Sequence, residues 1–226
     1  MSMLSNLELI RRVPLFAMLT ASQAEAVAEA VFKRRVKRGE LIVEQGEKSN
    51  ALFIILTGRV RVVTTDKRGR EVILATLRPG DYIGEMSLID NEAHSASVRA
   101  EIQTDMLVLG RAEFARCLPE NSSMAYAIMK GLVQRLRHAD RKIESLALMD
   151  VYGRVARSLL EFAFPDPSGN GESVIREKIS RQDIAKMVGA SREMVSRVMK
   201  DLEDRGFIET RPDGSMLIKD RLSTLG

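Results

Sequence analysis

From Ser122 to Met149 the chain runs 28 residues without a proline and with one glycine, Gly131. Inside this run Ala125, Met129, Leu132, Leu136, Ala139, Ile143 and Leu146 follow one another at alternating spacings of four and three. On an α-helix that alternation draws one narrow apolar seam, sustained here over about three heptads. Lys130, Arg137, Arg141 and Glu144 lie on the other side. So long a helix with so strict a seam predicts pairing with a second helix, and a homodimer meets that need with one kind of chain. The other outlet for such a stripe is packing against the chain's own neighbouring domain. Either way, the chain is organised around a long helix.

What precedes the helix has a different texture. Leu4 to Ala30 reads as short helices, interrupted by Pro14 and restarted behind a capping Thr20. From about Phe32 to Leu109 the apolar pieces LIVEQG, ALFIILTG, RVRVVTT, EVILATL and MLVLG are cut by Gly39, Gly46, Gly58, Gly69 and Gly80. Short strands with turn signals at this density predict a closed or sandwiched β structure. Arg68-Gly69 reads as a hairpin turn, and KRRVKR at 33–38 as a solvated strand edge.

Composition removes several function classes. Hydrophobic residues at 45% and charged residues at 29% describe a folded chain rather than a disordered one. No window approaches the ~18 uninterrupted apolar residues of a membrane span, and MSMLSNLELIRRVP lacks the parts of a signal peptide. The one cysteine, Cys117, cannot form an internal disulfide or alone hold an iron–sulfur cluster or a thiolate zinc site. It reads as a small core residue in a cytoplasmic protein. With two histidines, His94 and His138, and no G-x-S-x-G elbow, neither metal catalysis nor a serine triad is expected. The twelve methionines read as core fillers.

After the helix, DVYGRVARSLLEFAF is a second helical run that stops at a loop, Pro165 to Gly171. Between Arg176 and Lys200 there are seven Lys or Arg against three acids, a surplus equal to the whole chain's net charge of +4. The same region reads SRQDIAKMVGASREMVSRVMKDLEDRGFIETRPDGSMLI. Ser180 caps a short helix carrying Ile184, Ala185 and Val188; Gly189 ends it, and Ser191 caps the next. Two short helices across a turn containing glycine form a helix-turn-helix, whose second helix enters the major groove of double-stranded DNA N-terminal end first. Val195, Val198, Met199 and Leu202 should face inward, leaving Arg192, Glu193, Ser196 and Arg197 outside. Arginine donates two bonds to guanine and glutamate accepts from cytosine. Ser180, Arg181, Gln182 and Ser191 sit where helix starts would meet phosphates. The final segment, turning at Pro212-Asp213-Gly214, reads as a β-hairpin wing.

LALMDVYGRVARSLLEFA and SRQDIAKMVGASREMVSRVMKDLEDRGFI resemble the cyclic-AMP receptor protein / fumarate-nitrate regulator (CRP/FNR) family of bacterial transcription factors. The glycine-punctuated region with GEMSLIDNEAHSASVRA resembles that family's nucleotide-binding β-roll. The resemblance covers essentially the whole chain. It implies an α+β architecture: an N-terminal jelly-roll sensor, a long dimerisation helix and a C-terminal winged helix-turn-helix. The corresponding segments are 1–119, 120–150 and 151–226, with Met129, Leu132, Leu136, Ala139, Ile143 and Leu146 as the dimer seam. It further implies that Arg192, Glu193 and Arg197 read palindromic TGTGA-like half-sites, and that the dimer contacts RNA polymerase.

In the sensor motif, Gly84 permits a tight backbone, Glu85 suits a ribose hydroxyl, and Met86 to Ile89 form one helical turn. The amides there, Ser87 among them, and Ser95 would cradle a phosphate. The family's phosphate-binding arginine is replaced by His94, which is neutral near pH 7 and lacks arginine's fork. The family's adenine-facing Thr-Ser pair is replaced by Ala139 and Asp140. The expected effector is cyclic AMP or cyclic di-GMP, with Arg59, Arg61 and Arg99 as further candidates for phosphate or guanine; the remaining alternatives are another small ligand or none. No cofactor is expected.

The resulting expectation is a transcription regulator in which a small nucleotide effector rotates two winged helices about the paired long helices. The competing expectation is a nucleotide-binding module that acts on a protein partner without DNA. An enzyme working through Glu85 and His94 is the weakest, for want of a nucleophile or metal set.

Overall fold

The computed structural model describes residues 5–120, 122–166 and 172–225, without the side chains of 117–120, 122 and 223–225. The expectation for Cys117 and most of the loop expected at 165–171 lie outside the described residues. The chain divides into two compact units, Met1–Leu136 and Arg137–Gly226.

The first unit opens with α1 (Asn6–Ile10) and α2 (Ala21–Ala30), each started by a reciprocal capping box, Ser5 with Glu8 and Thr20 with Gln23. Eight strands follow: β1 (Val31–Val36), β2 (Leu41–Val43), β3 (Ala51–Thr57), β4 (Val60–Thr65), β5 (Glu71–Leu77), β6 (Tyr82–Ile83) and, after α3 (Glu85–Asp90), β7 (Ser97–Ala100) and β8 (Thr104–Gly110). They form two antiparallel sheets ordered β1-β8-β3-β6 and β2-β7-β4-β5, the strand order of a jelly roll. Helices α4 (Arg111–Glu120) and α5 (Ser122–Leu148) complete this part of the chain.

The continuous apolar runs in β3 and β8 have a physical reason. Phe53, Ile55, Met106 and Val108 face the interior between the sheets, while Leu52, Ile54, Leu107 and Leu109 face a second core built with the helices. That second core includes Ile10, Phe16, Val27 and Phe114, together with Met124 and Ile128 of α5. A sheet covered on both faces needs no polar alternation. The other sheet is wetter, and a bulge between Val62 and Val63 breaks its alternation. KRRVKR does lie largely on edge strand β1, with Arg35 paired to Asp105 at 2.5 Å. The Arg68-Gly69 turn closes β4 onto β5, Gly69 taking a φ of 78°.

The second unit contains the end of α5, then α6 (Val151–Glu161), β9 (Phe164–Pro165), β10 (Ser173–Ile175), α7 (Arg181–Val188), α8 (Arg192–Asp204), β11 (Ile208–Thr210) and β12 (Met216–Ile218). Asp150 caps α6, accepting from the Gly153 amide at 2.8 Å. The strands form one sheet ordered β11-β12-β10-β9, and β9–β10 adds a hairpin where only a loop was expected. A core of Val155, Leu159, Ile175, Ile184, Val188, Val195, Met199, Leu202 and Ile218 ties helices to sheet. Met106, Met124 and Met199 fill cores as expected, but Met18, Met86, Met129 and Met194 are exposed.

Candidate nucleic-acid interface and nucleotide site

The reading helix α8 is built by local rules. Ser180 accepts from the Asp183 amide at 3.0 Å and Ser191 from the Met194 amide at 3.2 Å, each cap contributing about 1 kcal/mol. Gly189 ends α7 at φ 66°, a left-handed turn that a side chain would strain. Val195, Val198, Met199 and Leu202 are buried, about 1.5–3 kcal/mol each. That anchoring turns Arg192, Glu193, Ser196 and Arg197 outward, all exposed, along with Ser180, Gln182 and Ser191; Arg181 is half-buried. The first-turn backbone, its own amide foremost, and the Ser191 hydroxyl hold the Glu193 carboxyl below its ordinary value, so it is an acceptor at neutral pH. The β11–β12 hairpin turns where expected, Asp213 accepting from the Ser215 amide at 2.9 Å.

In the first unit the sensor motif forms a small cassette around α3. Gly84 has φ 96°, and a Cβ there would lie 2.5 Å from the Ala51 carbonyl oxygen, so no other residue fits. Met86 is exposed, whereas Ser87 is buried and its hydroxyl donates to the Glu92 carbonyl oxygen. Arg111 pins the cassette from outside, donating to the Ser87 carbonyl oxygen at 3.0 Å and to Asn50 Oδ1 at 3.2 Å. Ser95 is exposed and His94 half-buried. The His94 backbone is held by the 44–47 turn, its amide donating to the Glu47 carbonyl oxygen at 2.8 Å. Its Nε2 is buried without a hydrogen-bond partner among the described residues, and burial pushes the imidazole below its ordinary pKa. His94 is therefore neutral at pH 7.

Glu85, expected to suit a ribose hydroxyl, is engaged within the chain. Its side chain is 2% exposed and forms an ion pair with Arg135 of α5, which also donates to the Tyr82 carbonyl oxygen. The Arg135 guanidinium lies 5.0 Å from the Tyr82 ring centre, and the Tyr82 hydroxyl donates to the Ile128 carbonyl oxygen at 3.2 Å. Gly131 makes this docking possible, because a Cβ there would collide with the Tyr82 hydroxyl. Burial pushes the Glu85 carboxyl upward, opposed by the charge of Arg135. Neither Arg135 nor Tyr82 stood out in the sequence, because one arginine within a long helix and one tyrosine in a short strand belong to no local motif.

The arginines assigned to phosphate or guanine are already engaged. Arg59 and Arg61 both bind Glu101, at 2.7 and 2.5 Å, and Arg99 donates to the Gly39 carbonyl oxygen at 2.8 Å. Their acceptors come from other stretches of the chain, which a strand pattern does not announce.

Most of the expected α5 seam is uncovered, and part of it is drawn inward. Met129, Leu136, Ile143 and Leu146 are each more than half exposed, but Ala125 and Leu132 are half-buried, and Leu132 packs on the first unit's helix-side core. Tyr126 and Val133 extend the exposed apolar stripe instead. The face used by Met124 and Ile128 for the chain's own core sets how far round the helix the uncovered stripe begins. Ala139 and Asp140 are exposed further along α5. No helix among the described residues is long and apolar enough to cross a membrane.

Comparison with known proteins agrees with these two units. The family described as Cyclic nucleotide-binding domain matches residues 33–121, and that described as Crp-like helix-turn-helix domain matches 153–222. The cAMP-activated global transcriptional regulator Vfr of Pseudomonas aeruginosa is 35% identical over 183 residues, covering 79% of this chain and 86% of that one. The cyclic AMP receptor protein of Thermus thermophilus is 34% identical over 200 residues, covering 88% and 89%. Among solved structures, the c-di-GMP responsive global regulator CLP of Xanthomonas campestris superposes with a TM-score of 0.74 at 25% identity, over 88% of this chain and 98% of that one. These relatives are transcription regulators, not enzymes. A jelly roll with a sensor cassette, followed by a capped helix-turn-helix and wing, thus places the chain in the CRP/FNR family of transcription regulators.

Proposed function

We propose that this chain is a homodimeric, effector-dependent regulator that binds a palindromic, TGTGA-like DNA site and acts on RNA polymerase from there. In this reading 1–119 senses, 120–150 dimerises and 151–226 reads DNA. The observation that carries it is the α8 face: a buried apolar side locks the helix while Arg192, Glu193, Ser196 and Arg197 stand exposed at its start. A module acting only on a protein partner would have no use for that face. The exposed stripe of Met129, Leu136, Ile143 and Leu146 supports pairing of two copies through α5. Paired recognition helices would then lie about 34 Å apart, one DNA turn.

The effector we assign is a cyclic nucleotide, in line with the cAMP-activated relatives. A second nucleotide is kept beside it because the phosphate-side position holds His94, whose neutral imidazole lacks the charge and fork of the family's arginine. Cyclic di-GMP is that second candidate, because a c-di-GMP responsive regulator shares the fold. The effector shifts the dimer only by its different affinity for two states.

The test is calorimetric titration with cyclic AMP, cyclic GMP and cyclic di-GMP in parallel, followed by binding to a duplex with inverted TGTGA half-sites. One nucleotide should bind and should change DNA affinity. Arg192→Ala should reduce discrimination for guanine by about 1–3 kcal/mol. An unchanged base preference in that variant, or no sequence preference with any nucleotide, would overturn the assignment.

A further inference from the structure

The outer side of α8 is polar at Arg192, Glu193, Ser196, Arg197 and Lys200, yet Met194 in the same first turn is 40% exposed. Among the residues of 151–166 and 172–222, whose side chains are described, the only other large hydrophobic so exposed is Phe164. Burial elsewhere does not require Met194: the inward line of α8 is already complete with Val195, Val198, Met199 and Leu202. Its amide donates to the Ser191 cap, so the cap fixes its place in the leading turn. Met194 and Arg197 are three residues apart and so neighbours on the helix surface. The leading turn of a recognition helix meets base edges, and in the major groove the apolar group offered there is the 5-methyl of thymine.

We propose that Met194 reads the methyl group of a thymine beside the guanine taken by Arg197, making it a specificity-determining residue. The inference rests on the DNA-reading function above and adds a contact the charged residues cannot make. Arginine and glutamate report hydrogen-bond donors and acceptors, whereas a thioether chain reports the methyl by excluding water from it. An unbranched, flexible side chain adapts to the groove floor without a fixed rotamer.

The experiment begins with selection of binding sites from random duplexes by the full-length protein, without nucleotide and with cyclic AMP or cyclic di-GMP. Each thymine of the selected half-site is then replaced in turn by deoxyuridine, which lacks only the methyl, and affinity is read by fluorescence anisotropy. One position should weaken wild-type binding about fourfold per half-site, the value of one buried methyl group. Met194→Ala should bind the thymine and deoxyuridine duplexes equally while keeping its guanine preference. If the wild type is indifferent to every replacement, or if Met194→Ala retains the full penalty, the inference fails and the DNA-reading function stands. Selection that enriches no sequence would overturn both together. Because Met194 is exposed and alanine favours helix, the variant's far-UV circular dichroism should match the wild type's.

Discussion

Replacing Arg135 by alanine should unsettle the first unit far more than neutralising its partner Glu85. Glu85 is 2% exposed and Arg135 is 37% exposed, so the two ends of the ion pair depend on each other unequally. Removing the arginine leaves a carboxylate buried with no countercharge. Breaking a fully buried pair costs about 3–5 kcal/mol, but water reaching in where Arg135 is exposed lowers that to about 2 kcal/mol. The lost contact with the Tyr82 ring adds roughly 0.5–1 kcal/mol. Glu85→Gln keeps the shape and an oxygen acceptor while Arg135 turns its charge to water, so it should cost about 1 kcal/mol or less. Adding Glu85→Gln to Arg135→Ala should restore much of the loss. The pH dependence has a definite sign. Burial raises the folded-state pKa of Glu85 above its ordinary 4.5, so its contribution is most favourable below that value and is lost as pH rises through the folded pKa. Without Arg135 only a backbone hydrogen bond still opposes the upward push, and the variant's deficit should therefore be small near the ordinary value and grow toward neutrality. Urea unfolding followed by far-UV circular dichroism across this range measures it. A Glu85→Gln loss equal to that of Arg135→Ala, or a deficit independent of pH, would refute the reasoning.

Gly131→Ala should destabilise the first unit by about 1–3 kcal/mol, because its methyl meets the Tyr82 hydroxyl. Adding Tyr82→Phe should recover part of that loss in thermal unfolding, and a fully stable Gly131→Ala would show that α5 docks otherwise. Leu136→Asp places a charge in the exposed stripe and should weaken self-association at least tenfold, measured by sedimentation equilibrium. Unchanged sedimentation would remove α5 from the dimer contact.

The DNA-reading half was legible because its determinants are local. Ser180, Gly189 and Ser191 act within one turn of themselves, and the period of Val195, Val198, Met199 and Leu202 alone settles which side faces out. The nucleotide half was legible as short strands and a sensor motif, but not as a wired site. Val31 pairs with Leu109, and Glu85 meets an arginine 50 residues later, so no window contains both partners. For the same reason Arg59 and Arg61 looked available until the fold brought Glu101 beside them. Leu132 belonged to a sound heptad pattern, yet the face of α5 used for the chain's own core drew it partly inward and left Tyr126 and Val133 outside.

Helix caps, turns and apolar periodicity are short-range consequences of backbone geometry, and from them the sequence by itself determined a two-part chain with a long helix and an outward-facing recognition helix. Tertiary structure alone decided which charges neutralise each other and which apolar stripe stays uncovered. Those outcomes depend on groups far apart in the chain meeting at hydrogen-bond distance, and that meeting is decided by how sheets and helices pack.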